Sequence, residues 1–308
     1  MINFIGIGAT KAGTTWLFDR LRDLNQFRLT PIKELHYFDR GKEYYMSPMT
    51  VEITKFKNRV FFDWKWYKRF AKDIGRTIFQ YPSFYDFKMV LKWHTLNYSD
   101  SAYASMFPET DTKISGEITP AYSFLKPKDI SRMFSINNDL KIVFLLRDPI
   151  ERAWSHIRYR KPSVLGSFEE IKNFINSEEQ VLRGNYIKTM KEYSSIFPEE
   201  NILICFYDAI KNKPQELLSQ TVIFLNGDAS TVGGLDTLNK KSNVSKPLKM
   251  PPDVYEYLKI KYQEDISQMS SVIGGYPCVW LKQHYDISYG KIEIKSSQEL
   301  STFAISDL

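Results

Sequence analysis

Cysteine occurs only twice in the 308 residues, at Cys205 and Cys278, and histidine only four times. Two cysteines make no disulfide scaffold, and neither stands in a metal-binding or redox spacing. With the histidines scattered, no metal site is legible and none is expected. No apolar run reaches the ~18 residues of a membrane-spanning helix. Met1 leads almost directly into an apolar segment, without a basic, cleavable leader. A cytoplasmic protein without a membrane partner is therefore expected. The basic residues form no arginine-rich arm, so nucleic acid is not expected as a partner either. The net charge of +6 instead suits a small anionic ligand. The pattern says nothing about oligomeric state.

What is present alternates. Strands are expected over 2–7, 112–118, 141–146 and 201–207. Helices are expected over 13–24, 62–73, 128–134, 150–159, 168–182, 185–197, 214–226 and 251–273. Residues 28–37 read as a short extended or loop segment through Pro31. This βα order predicts an α/β fold with a central parallel sheet flanked by helices. No linker divides the chain, so 1–308 reads as one domain. Residues 40–110 are irregular and aromatic-rich, and are expected to be an insertion that caps a substrate or forms its own small core. The tail from about 287 is rich in serine.

Residues 4–18 read FIGIGATKAGTTWLF. A short strand runs into a Gly-rich turn and then a helix, the context in which backbone N–H groups and a helix N-terminus hold an anion. The nucleotide-hydrolase loop places Lys directly after its last Gly. Here Gly13 is followed by Thr14, and the lysine, Lys11, comes earlier. The plainer alternative is an ordinary helix start capped by Thr14.

Two further segments carry chemistry. Lys33-Glu34-Leu35-His36-Tyr37-Phe38-Asp39 offers two bases: Glu34, if a dry site raises its pKa, and His36, which titrates near neutrality. On an extended segment residues 34, 36 and 38 share a face. The strand 141–146 ends in Arg147-Asp148-Pro149, at the end of a parallel strand where ligands bind. Arg147 can grip a phosphate bidentately, and Ser155 follows two helical turns on. Asp148 and Pro149 start the helix, and Arg152 is expected to pair with an acid.

Lys11-Ala12-Gly13-Thr14-Thr15-Trp16 resembles the 5′-phosphosulfate loop of the sulfotransferases that use 3′-phosphoadenosine 5′-phosphosulfate (PAPS). The segment 33–39 resembles the catalytic K-E-x-H-[FY]-F-D segment of heparan-type members. Residues 147–155 resemble the family's 3′-phosphate motif, R-[DN]-P-x-x-R-x-x-S. The resemblance implies PAPS as cofactor, bound by residues 11–16, Arg147 and Ser155. It also implies Glu34 as base, with Lys11 and His36 assisting. Asn239 to Pro247 resembles the late basic loop over the 3′-phosphate, which adds Lys240, Lys241 and Asn243. Arg183-Gly184-Asn185-Tyr186 resembles a region near nucleotide and acceptor, although Tyr186 equally fits a core aromatic. Gly116 to Tyr122 resembles the E-K-[ST]-P-x-Y segment, with Ile118 in place of the lysine. Lys33, Glu117, Tyr122 and Tyr186 are therefore the substrate-binding candidates.

The resemblance covers residue 3 to about 274 and implies sulfuryl transfer to a hydroxyl or amine. Loss of the lysine at Ile118 and of a membrane anchor favours a small secondary metabolite as acceptor over a saccharide or glycan. Two other readings stand beside it. A P-loop kinase requires a lysine directly before Thr14 or Thr15, which is absent. A non-catalytic nucleotide- or glycan-binding module is expected to lack Lys11 or Glu34, and both are present.

Overall fold

The strand signals converge on one sheet of five parallel strands: β1 (Phe4–Gly8), β2 (Phe27–Leu29), β3 (Ile114–Ile118), β4 (Lys141–Leu146) and β5 (Ile202–Phe206). The structure is a computed structural model and describes residues 1–40, 44, 55–80, 83–107, 112–160, 167–240 and 248–287. β1, β4 and β5 carry apolar side chains on both faces and are buried almost throughout. Such continuous burial is the mark of a parallel sheet covered on both sides. The order across the sheet is β2-β3-β1-β4-β5. The chain starts in the middle, moves out to β2, returns through β3 and crosses β1 to reach β4. That reversal opens a crevice beyond the carboxyl ends of the strands.

The expected helices include α1 (Thr14–Asp23), α6 (Pro127–Ile136), α7 (Pro149–Arg160), α9 (Glu178–Gly184), α10 (Tyr186–Ser194), α12 (Pro214–Phe224) and α13 (Pro252–Val272), of which α1, α7 and α9 contribute to the cavity beyond the strands. The expected helix over 62–73 is α3 (Trp64–Gln80), and a separate helix, α2 (Phe56–Phe62), precedes it. Asp63 makes the break: its carboxylate accepts the Trp66 N–H at 3.1 Å, capping α3. The expected helix over 168–182 is divided, into α8 (Phe168–Ile175) and α9, with Ser177 turned back onto the Phe174 carbonyl at 2.7 Å.

Among the described residues, elements beyond the expected set include β2, α4 (Phe84–Thr95), α5 (Asp100–Ala104), α11 (Tyr207–Asn212) and α14 (Tyr276–Tyr285). β2, α5 and α11 are too short to show a period. α14 is fastened by its C-terminal turn, where His284 meets the buried Asp148 at 2.5 Å. The other Asp148 oxygen accepts the Ile150 N–H at 2.9 Å and starts α7, as expected. The insertion is anchored through α4, whose Met89, Val90 and Trp93 join the core and whose Asp86 pairs with Arg22 of α1 at 2.5 Å. Cys205, on β5, and Cys278, on α14, are both free and buried.

Candidate active site

A cavity of about 340 Å³ lies beyond the carboxyl ends of the strands, and the segment after each strand contributes to its wall. Lys11 and Thr14 follow β1, Lys33 and Glu34 follow β2, and Pro120 and Ala121 follow β3. Arg147 follows β4 and Tyr207 follows β5, while Ser155 and Tyr159 come from α7.

The first wall is the loop into α1. Gly13 holds φ +92°, and a Cβ there would lie 2.5 Å from Ile210 Cδ1, so only glycine fits. No side chain caps α1, so Thr14 does not play the capping part. The helical ladder begins with the Leu17 N–H on the Gly13 carbonyl at 3.2 Å. The N–H groups of residues 13–16 precede it, at the positive end of the helix. Gly13, Thr14, Thr15 and Trp16 all line the cavity. Ala12 departs from the expected set: it is fully buried and donates its N–H to the Ala9 carbonyl at 3.1 Å, so it shapes the turn without facing the cavity. Lys11 places its ammonium 4.4 Å from the Tyr159 ring centre. Burial, then the charges of Arg147, Arg158 and Lys33, lower its pKa against the opposing pull of Glu34. Lys33 donates to the Thr15 hydroxyl, and burial lowers its pKa as well.

The second wall is the segment after β2. Of the two shapes expected, extended or loop, it takes the loop: Glu34 and His36 hold φ of +64° and +51°, a left-handed conformation uncommon for residues with a Cβ. The curl separates Phe38, which enters the core against Tyr103 and Tyr122, from the pair that faces the cavity. His36 Nε2 lies 3.6 Å from a Glu34 oxygen, and His36 Nδ1 lies 2.7 Å from the fully buried Asp39. Burial opposes charge on His36, but Asp39 and then Glu34 outweigh it and raise its pKa to about 9. Burial alone would raise Glu34. His36, Lys33 and Arg183 overcome that and hold it below the usual carboxylate range. This corrects the expectation that a dry site raises Glu34. The Glu34 side chain keeps 39% of its surface accessible.

The third wall is Arg147. Its guanidinium donates to the Lys11 carbonyl at 3.1 Å, meets Glu151 at 3.3 Å and lies 4.3 Å from the Tyr207 ring centre. Among the described residues its buried Nε–H finds no partner, a donor still to be satisfied. Tyr186 is buried, does not line the cavity, and donates its hydroxyl to the Arg147 carbonyl at 3.0 Å. Arg152, expected to pair with an acid, is fully buried and instead donates to the Gln180 side-chain oxygen at 3.1 Å and the Tyr262 hydroxyl at 3.4 Å.

Other expected residues stand apart from the cavity. Glu117 and Tyr122 are fully buried behind it. Tyr103 and Tyr122 donate to one Glu117 oxygen at 2.5 and 3.1 Å, and Thr119 to the other at 2.8 Å. Tyr122 also accepts the Tyr37 N–H at 2.8 Å, so this network braces the curled segment from behind. Lys240 is exposed and outside the lining, while Lys241 and Asn243 lie outside the described residues. The approach to them is tied to α1, since Trp16 donates to the Leu238 carbonyl at 3.1 Å and Arg20 to that of Thr237. No described residue of 55–107 lines the cavity.

Several lining residues were not foreseen, and Arg183, His156 and Tyr159 matter most among them. Arg183 donates to the Thr10 hydroxyl at 2.7 Å and to Glu179 at 3.1 Å, adding a buried cation near Glu34. It sits in the Arg183-Gly184-Asn185-Tyr186 segment, where the aromatic drew attention away from it. His156 is buried beside Arg152 and Arg183, and burial followed by those charges lowers its pKa to about 3. Tyr159 stands one helical turn past Ser155, and that spacing was its legible signal.

Comparison with known proteins agrees with the geometry. The sulfotransferase domain family matches residues 3–275, and the chain belongs to that family. A sulfotransferase from Alicyclobacillus acidocaldarius superposes with a TM-score of 0.58 at 20% identity, covering 89% of this chain and 96% of that one. A sulfotransferase domain of the curacin biosynthetic pathway gives 0.47 at 15% identity, over 84% and 96%. The sulfotransferase domain of a Synechococcus PCC 7002 olefin synthase gives 0.46 at 15%, over 84% and 94%. No curated protein matches the chain. Among the described residues, no helix is long and apolar enough to cross a membrane, and no group of three or more His, Cys, Asp or Glu gathers as a metal site.

Proposed function

We propose that this sulfotransferase draws on PAPS and modifies a hydroxyl or amine of a small-molecule acceptor. The observation that carries the reading is the meeting, in one cavity, of an uncapped helix start with Lys11, an incompletely satisfied Arg147, and Glu34, the one carboxylate among the described lining residues. These residues fit PAPS. The N–H groups of residues 13–16 and Lys11 suit its 5′ end, and Arg147 with Ser155 suits the 3′-phosphate. When bound, PAPS supplies a sulfuryl group on a phosphate leaving group. Lys11 and the helix start offset negative charge where the loop faces the cavity. Glu34, ionised and exposed to the cavity, takes the acceptor proton. His36 is already protonated at neutral pH, so it serves Glu34 as a fixed cation and not as the base. Arg183 adds a second cation on the same side.

Calorimetric titration tests the cofactor. Binding of 3′-phosphoadenosine 5′-phosphate without Mg²⁺, much tighter than that of ADP or ATP, is expected. Preference for ATP with Mg²⁺ would sink the reading. Sulfation of an alcohol or amine library, with no activity on sulfate-acceptor glycans, separates a small acceptor from a saccharide.

A further inference from the structure

Within the insertion, the stretch 55–95 sorts its charges by side. Between residues 55 and 95 the acids are Asp63, Asp73 and Asp86, and each turns inward onto a cation: Arg69 at 2.8 Å, His94 at 3.0 Å and Arg22 at 2.5 Å. Among the described residues of that stretch, lysine is the only charged residue that is exposed. Large apolar rings stand between the lysines: Trp64 is 65% exposed, Phe79 86% and Phe84 74%.

α3 and α4 repeat one pattern. α3 carries Trp64, Tyr67, Lys68 and Lys72, and α4 carries Phe84, Phe87, Lys88 and Lys92 at the same spacing. At 3.6 residues per turn each set falls on one side of its helix. The Lys68 ammonium lies 4.0 Å from the Trp64 ring and that of Lys88 4.4 Å from the Phe84 ring. A merely solvated face mixes both signs of charge and keeps such rings covered. Exposed rings alternating with lysine, with every acid withdrawn, complement a surface that is apolar below and anionic above. The outer side of a helix offers no groove to track a nucleic-acid strand.

We propose that the outer sides of α3 and α4 dock this protein reversibly on an anionic lipid surface. The rings seat among the headgroups and the lysines against their phosphates. This replaces the expectation of no membrane partner with a peripheral one, and it does not depend on the cofactor or the acceptor. Arg76 of α3 lies within electrostatic reach of Lys33, so that turn of the helix stands near the cavity.

The test is co-sedimentation of the full chain with vesicles of phosphatidylcholine, alone or mixed with phosphatidylserine. Sedimentation with the mixed vesicles only, weakening as salt rises, is expected. Combining Trp64→Ser, Phe79→Ser and Phe84→Ser should abolish it, with thermal unfolding by circular dichroism unchanged because all three side chains are exposed. Each of Lys65→Gln, Lys68→Gln and Lys72→Gln should lower the partition by about fivefold. The proposal is overturned if neither vesicle binds, or if the ring and lysine variants partition like the parent. Self-association or single-stranded nucleic-acid binding through this face, without vesicle binding, also overturns it.

Discussion

The half of the cavity formed by the loop after β1 and by Arg147 is fastened through the backbone, whereas the half around Glu34 rests on side chains. In the first, Gly13 shapes the turn, the Lys11 carbonyl accepts from Arg147, and Tyr186 holds the Arg147 carbonyl. None of those backbone groups titrates. In the second, Glu34 is kept ionised by His36, and His36 is kept protonated by Asp39 and Glu34. One half is set by geometry and the other by charge, so pH and substitution should separate them.

The largest expected effect is on the charged half. Glu34→Gln should lower kcat by about 10²–10⁴-fold, the usual worth of a general base, and leave nucleotide affinity within a few-fold. Surviving turnover, lost instead in His36→Ala, would reverse the two roles. Next comes the geometric half. Arg147→Ala should weaken 3′-phosphoadenosine 5′-phosphate by about 10–100-fold, since charged hydrogen bonds are lost. Adenosine 5′-phosphosulfate should weaken far less, and equal losses would remove Arg147 from the 3′-phosphate.

The pH profile sharpens the contrast. His36 holds Glu34 down, so His36→Gln should move the acidic limb of the rate profile to higher pH. An unmoved limb would break the proposed dependence. Stability has its own sign. The folded pKa of His36, about 9, exceeds its ordinary 6.5. Its contribution is therefore complete below pH 6.5 and is lost as pH rises toward about 9. The melting temperature should fall across that window in the parent and stay flatter in His36→Gln. The smallest effect belongs to Tyr186→Phe, which removes one hydrogen bond behind Arg147. Nucleotide affinity should fall by about fivefold, with an unchanged pH profile.

The same contrast explains what could be read in the chain. The β1 loop and the Arg147 turn are contiguous motifs whose residues act where they stand. Strand 141–146 and the βα order were legible because burial on both faces leaves uninterrupted apolar runs. The Glu34 segment was legible as chemistry but not as shape. Left-handed φ at two residues with a Cβ is imposed by packing that no local preference announces, here Tyr122 on the Tyr37 N–H and Asp39 on His36. Glu117 and Tyr122 were read as acceptor contacts because of their motif, yet three hydroxyls enclose Glu117 in the interior. Arg183 was passed over because its worth depends on Thr10, distant in the chain.

The hydrogen bond from Arg147 to the Lys11 carbonyl makes the two phosphate sites share one mechanical part. A ligand that engages only one end meets a partner residue already tied to the other. The losses from Lys11→Ala and Arg147→Ala should then sum to more than the loss in the double variant. A nucleotide lacking either terminal group should be disfavoured beyond the contacts it forgoes. Discrimination against ordinary adenine nucleotides would in that case be a property of the span between the sites, written into a single bond of 3.1 Å.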